Sequence, residues 1–267
     1  MKIEYRETTD DLLTRIDIHQ KYGGRNIDQW MLEVLQLQKD MHILDVGCGA
    51  GKQCFVFDKA LGGEAEITGG DISVELLEKA RQENRVKAGG RVKFIELDFD
   101  KRFPFEDDRF DLLSACFTIY YMSDIPFTVG EMHRVLKPEG RLFTSGPMPD
   151  NKRVFYDIIR EATGKQIPPM PGSSRYGTQI LDMIKATFSK VEVHIFENPL
   201  TFESFEPFIA YTQASLSEDR KLWKSLFDDK AGFERVIAQI TDVAARRIAK
   251  DGPIVMTKVV GGFVATK

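Results

Sequence analysis

The chain has 267 residues, of which 42% are hydrophobic and 29% charged, with a formal net charge of −4. This is the balance of an ordinary globular protein, long enough for one substantial core as a single domain with insertions or as two small domains. The negative charge disfavours a nucleic-acid substrate, which calls for a basic face against phosphates.

In chain order, the first seven residues, Met-Lys-Ile-Glu-Tyr-Arg-Glu, lack the apolar stretch of a secretory leader. Residues 1–40 form an amino-terminal segment with a helix expected over 27–38. It contains His19 beside Tyr22, and Arg25 after Gly23 and Gly24. Ile43, Leu44 and Val46 then read as a short buried strand that runs into glycines at alternate positions, Gly47, Gly49 and Gly51. A helical face follows, carried by Cys54, Phe57 and Leu61. A turn this tight needs residues free to take positive φ, and backbone without Cβ lets a ligand come close. The unpaired N–H groups at the start of the helix favour polar or anionic parts of that ligand.

The spacing narrows the ligand. A dinucleotide fingerprint would need a third glycine where Lys52 or Cys54 stands. A phosphate-cradling P-loop would need glycine at Val46 and Ser or Thr at Gln53. What remains is Asp-x-Gly-x-Gly-x-Gly over Asp45, Gly47, Gly49 and Gly51. A second strand over 66–70 ends at Asp71, where open α/β sheets hold nucleoside ribose hydroxyls, and Ser73 is placed to cap the next helix. The plainer role for Asp71 is a helix cap. A third strand over 92–97 ends at Asp98 and Phe99, which alone read equally well as a turn aspartate beside a core ring. Strand signals follow over 110–116 and 141–145, the second preceded by a helix end and the turn Pro138-Glu139-Gly140.

Taken in this order over residues 41–147, these motifs resemble class I S-adenosylmethionine (SAM) dependent methyltransferases, most closely the branch containing ubiquinone/menaquinone-biosynthesis and other small-molecule enzymes. The resemblance implies a Rossmann-like α/β fold: a seven-stranded, mostly parallel sheet flanked by helices, its last strand antiparallel. It implies SAM as cofactor, with Asp98 and Phe99 at the adenine. The cofactor set it suggests is Asp45, Gly47, Gly49, Gly51, Asp71, Ile72, Asp98, Phe99, Cys116 and Phe117, with Arg25 towards the SAM carboxylate. The segment 41–267 is then the SAM-binding domain, with a helix over 176–188, strands over 190–196 and 257–264, and cap insertions at 147–175 and 198–253.

The long insertion carries Phe202, Phe205, Phe208, Tyr211, Trp223 and Phe227, most of them expected as core of a helical subdomain or in a homodimer interface and a minority facing substrate. Further along, Arg246, Arg247 and Lys250 share their stretch with Asp242 and Asp251, as on a solvated helix face. A roofed pocket suits a small-molecule acceptor, methylated on oxygen, nitrogen or carbon by in-line displacement. The candidate catalytic residues are Tyr120 and Tyr121, after the fourth strand, and His19, whose plainer reading is a surface histidine. Alternatives are a SAM-binding partner without turnover, or an enzyme acting on nucleic acid or protein. Cys48, Cys54 and Cys116, odd in number and without a Cys-x-x-Cys pair, point to a reducing, cytoplasmic setting with no disulfide framework or metal site. No uncharged apolar run approaches the roughly 20 residues a membrane helix requires.

Overall fold

A computed structural model describes residues 9–167, 171–216 and 223–267. The parts of the amino-terminal segment, the proline-rich stretch and the long insertion at 1–8, 168–170 and 217–222 lie outside the described residues. The elements run α1 (Thr9–Tyr22), α2 (Ile27–Leu35), β1 (His42–Val46), α3 (Lys52–Ala60), β2 (Glu66–Asp71), α4 (Val74–Lys87), β3 (Lys93–Glu96) and β4 (Phe110–Cys116). After a 3-10 turn at Ile119–Tyr121 come α5 (Ile125–Val135), β5 (Leu136–Pro147), α6 (Arg153–Thr163), α7 (Pro171–Arg175), a π turn (Tyr176–Ile180) and α8 (Leu181–Thr187). The chain closes with β6 (Lys190–Phe202), α9 (Phe205–Leu216), α10 (Lys230–Asp251) and β7 (Ile254–Thr266).

The strands form one seven-stranded sheet in the order β3-β2-β1-β4-β5-β7-β6, in which β7 alone runs antiparallel to its neighbours. Central strands buried on both faces read as apolar runs rather than as alternation. In β1, Ile43 faces the cluster under α2, α3 and α4, while Leu44 and Val46 face the cluster under α5 and α8. Capping side chains set several helix starts: Asn26 for α2, Ser73 for α4, Asp124 for α5 and Asp229 for α10.

Three sequence expectations are corrected here. The helix over 27–38 stops at Leu35, because Gln36 turns left-handed at φ 45°. The turn at Pro138–Gly140 is an excursion inside β5: pairing jumps from Phe110↔Leu136 to Leu112↔Arg141, with Glu139 left-handed at φ 62°. Both late strands are longer than expected and pair continuously from Lys190↔Thr266 to Phe202↔Ile254. Past β5, whose last partner is Val260, this hairpin continues alone at the carboxyl end of the parallel strands. There Leu200, Phe202, Ile254 and Met256 are buried beneath α1, α6, α9 and α10.

That third cluster takes up most of the insertion's rings. Phe202, Phe208, Tyr211 and Trp223 are each less than 2% exposed, so they serve this core. Among the described residues no helix is long and apolar enough to cross a membrane.

Candidate active site

The carboxyl ends of β1, β2 and β4 meet around the glycine turn. Gly47, Gly49 and Gly51 take φ of 69°, 54° and 81°, values that a side chain makes costly. Their surroundings differ. A Cβ on Gly47 would run into the Thr118 side chain, and one on Gly51 would lie 2.8 Å from the Phe94 ring. At Gly49 a Cβ would meet nothing within 4 Å. Two of the glycines thus fit the turn to its neighbours, while the middle one borders open space.

Asp71 faces that space from the end of β2. Its Oδ2 accepts the Gly49 N–H at 2.8 Å and its Oδ1 accepts the Ser73 N–H at 2.8 Å. The helix cap itself is Ser73, whose Oγ accepts from Leu76 N at 3.3 Å. An ionised carboxylate offers about four lone-pair sites, so two remain for a ligand. The neighbouring Ile72 side chain is 60% exposed.

Asp45 lies beneath the turn, 2% exposed, accepting from the Ser114 hydroxyl and from the Cys54 thiol at 3.5 Å. Burial pushes its pKa up to about 6, and the Asp71 charge adds to the rise. Burial likewise drives the Cys116 thiol far above its usual range. The Cys54 thiol is also raised, by its contact with Cys48 and by burial, so both thiols stay protonated. Phe117, left-handed at φ 56° and 39% exposed, presents its ring at the end of β4. At the end of β3, Asp98 accepts from Asp100 N at 3.0 Å and pairs with Lys101 at 3.2 Å. The half-buried Phe99 packs against the α5 side of the core.

The remaining candidates lie on other segments. Tyr120 and Tyr121 sit on the 3-10 turn after β4 with ring centroids 4.7 Å apart. Arg175 holds this segment by the carbonyls of Tyr120 and Met122, both at 3.0 Å. Arg25 is committed to β6: its guanidinium donates to the Glu197 carbonyl at 2.8 Å and lies 4.8 Å from the Phe196 ring centroid. His19 is half-buried. It lies in the cap with its ring centroid 5.6 Å from that of Tyr211, and its Nε2 is shut off from solvent. Burial, with Lys258, Lys152 and Arg15 nearby, lowers its pKa to about 2. Sequence reasoning missed Thr118, which closes on Gly47, and Lys152 and Lys258 near His19; no local pattern announced them. Two open hollows of about 340 and 450 Å³ lie at the opposite end of the sheet, beside Met41, Asp111 and Gly140 and beside Lys190 and Thr266. They are remote from the glycine turn.

The sequence profile of the family described as "Methyltransferase domain" matches residues 37–194, more than half of the chain. The chain belongs to the methyltransferase domain family. This family member is 34% identical over 129 residues to a demethylmenaquinone methyltransferase of Staphylococcus haemolyticus, over 45% of this chain and 53% of that one. With the enzyme of the same name from Chlorobaculum tepidum the identity is 31% over 179 residues, 67% of this chain and 65% of the relative. With the ubiquinone/menaquinone biosynthesis C-methyltransferase UbiE of Shewanella halifaxensis it is 28%, over 49% and 53% of the two chains. The methyltransferase-family chain thus spans about half the length of most of these curated relatives. Among solved structures, YcgJ of Bacillus subtilis superposes with a TM-score of 0.59 at 17% identity, over 90% of this chain and 97% of that one. A Haemonchus contortus phosphoethanolamine N-methyltransferase 2, solved with phosphomonomethylethanolamine and S-adenosylhomocysteine, gives 0.54 at 18% identity over 96% and 56%. At such identities the agreement concerns the fold, a Rossmann-like methyltransferase sheet.

Proposed function

We propose that the chain transfers a methyl group from SAM to a small-molecule acceptor. The observation that carries this reading is the open space at Gly49, bordered by the Asp71 carboxylate that Gly49 N–H itself holds in place. Family membership and relatives named as methyltransferases support the same chemistry. In this reading the free lone pairs of Asp71 take the two ribose hydroxyls, and Gly47, Gly49 and Gly51 let the ligand lie against backbone. Asp98 and Phe99 receive the adenine, and the exposed Ile72 and Phe117 cover its apolar surfaces. Asp45 supports the turn from below, and Cys116 forms wall rather than nucleophile. Arg25 leaves the set because β6 engages it.

Bound SAM supplies a sulfonium that makes its methyl group electrophilic. The protein then has to align the acceptor and exclude water. Tyr120 and Tyr121, beyond β4, orient the acceptor. His19, with its pKa near 2, is too weak a proton acceptor for general-base work at neutral pH. The described parts of 1–40, 147–175 and 203–253 form the roof, the last beginning at 203 because β6 runs on to Phe202. Three free cysteines fit a cytoplasmic enzyme.

Calorimetric titration with SAM, S-adenosylhomocysteine and NAD tests the reading. Both sulfur nucleosides should bind and NAD should not, and Asp71→Ala should weaken their binding by about tenfold or more. Binding of NAD alone would refute methyl transfer, and unchanged affinity in Asp71→Ala would remove the ribose assignment.

A further inference from the structure

The sheet ends on two edge strands, β3 and β6. An edge carries a row of unpaired N–H and C=O groups, and proteins commonly blunt it by shortness, by charge or by a covering segment. At four residues β3 is blunted by its length, whereas β6 runs for thirteen. Part of β6 is covered. Arg25 donates to the Glu197 carbonyl from outside the sheet, its own N–H reaches the Asn198 side chain, and Gly23 bridges to Leu200. Among the described residues no strand or bridge flanks the remaining stretch, 190–196, on its outer side.

The phase of the hydrogen bonds shows which backbone groups that stretch offers. Lys267 N–H donates to the Gly140 carbonyl and Met148 N–H to the Val259 carbonyl, so odd-numbered positions along β7 face β5. Even-numbered ones therefore face β6, where they pair with Lys190, Glu192, His194 and Phe196. The N–H and C=O groups of Val191, Val193 and Ile195 point outward instead, in phase with the Glu197 carbonyl that Arg25 takes. The side chains of these three add an apolar stripe. Val193 is 43% and Ile195 46% exposed, and Val191 lies beside them on the same face. The opposite face carries Lys190, Glu192 and His194, with the Glu192 carboxylate 2.6 Å from Lys190 Nζ and 3.6 Å from His194 Nε2.

We infer that this edge pairs with a second copy of the chain, β6 against β6, antiparallel about a twofold axis at Val193. The open stretch is itself centred on that residue. Val193 then exchanges both backbone bonds with its symmetry mate, and Val191 does so with Ile195 of the partner subunit. The apolar stripe continues across the junction. On the other face Glu192 stands opposite His194 of the partner subunit, in the closer, non-hydrogen-bonded type of pair. Neighbouring registers fit less well. An axis at Glu192 sets two carboxylates against each other, and an axis at His194 needs the Glu197 carbonyl that Arg25 occupies. An axis at Val191 brings Lys190 opposite Glu192 but leaves Ile195 unpaired. The contact is also distinct from a dimer built on the insertion's rings, most of which are buried in the third core cluster. Since β5 and β7 separate β6 from β4, it leaves the glycine turn free.

The test is sedimentation equilibrium of the full chain at concentrations from about 1 to 100 µM, which covers micromolar dissociation constants. Wild type should reach twice the chain mass at the upper end. Val193→Lys sets two like charges opposite each other at the axis and should weaken association by about tenfold or more. The position is exposed, so the circular dichroism spectrum should stay that of wild type. Ile195→Lys, at an equally open position, gives the same reading if Val193→Lys misfolds. Cysteine crosslinking with copper–phenanthroline checks the register. Val193→Cys should form a crosslinked dimer, because the opposed Cα atoms lie about 5.5 Å apart, within disulfide reach. Ile195→Cys should not, its symmetry mate lying about 14 Å away. Nor should wild type, whose Cys48 and Cys54 are buried. Full association in the lysine variants, or equal crosslinking of the two cysteine variants, would overturn the inference. A wild-type protein still monomeric at about 100 µM would also overturn it and leave the edge to a strand of another protein.

Discussion

Asp45 gives the sharpest test of the electrostatics under the glycine turn. Its carboxyl is 2% exposed and its pKa is raised from 3.8 to about 6, chiefly by burial. A folded-state pKa above the unfolded value means that the folded protein holds the proton more tightly. The stabilisation from Asp45 is therefore fully present below about pH 4 and is lost as pH rises through about 6. One pKa unit corresponds to about 1.4 kcal/mol, so the full loss is about 3 kcal/mol. Asp45→Asn keeps the shape and an acceptor for Ser114 while removing the charge. The unliganded variant should match wild type near pH 4 and exceed it by up to about 3 kcal/mol above pH 7. Urea unfolding of both proteins at several pH values between these limits measures the difference directly. Subtracting the two curves also removes carboxylates shifted the other way, such as Asp111 and Glu131, whose cationic partners Lys137 and Arg134 lower their pKa values. Parallel stability curves, or a variant weaker than wild type at every pH, would refute the argument that Asp45 is a buried, reluctant anion.

Three further outcomes follow from the geometry. Gly49→Ala should keep the fold, at a cost of about 1–2 kcal/mol for its left-handed backbone, but lose nucleoside affinity; urea unfolding beside calorimetry separates the two effects. Gly47→Ala adds a clash with Thr118 to the same strain, so it should cost more, about 2–5 kcal/mol in all. Arg134→Met should destabilise by about 3 kcal/mol or more in urea unfolding. It leaves Glu131 without the two hydrogen bonds it accepts at 2.8 and 2.7 Å and frees the carbonyls of Phe103 and Phe105.

The cofactor half of the site was legible because its demands are local and fall on the backbone. Alternate glycines at Gly47, Gly49 and Gly51 are required by positive φ values that other residues adopt at a cost. An acid at the end of β2 and a serine two residues later follow from how a strand hands over to a capped helix. Such requirements lie within a few residues of one another and can be read from a single sequence. The strand ends were less legible: nothing in Asn198-Pro199-Leu200 announces that pairing continues past Phe196. That pairing is decided by helices that bury every second side chain of the hairpin.

The roof was the least legible part, because its contacts join residues far apart in sequence. Arg25 N–H reaches the side chain of Asn198 across 173 positions, and Val259 N–H reaches that of Asn151 across 108. No periodicity within one segment encodes such a partner. His19 illustrates the consequence. From sequence its choices were a surface residue or a catalytic base, because a lone histidine on a polar helix suggests no other. The fold supplies the missing terms, a hydrophobic cap to bury the ring and two lysines from other segments to hold it neutral. Burial is the larger cause of its lowered pKa, and the cations add to it. A residue that reads as a proton acceptor in the sequence thus becomes, once its neighbours are known, a neutral group of the cap.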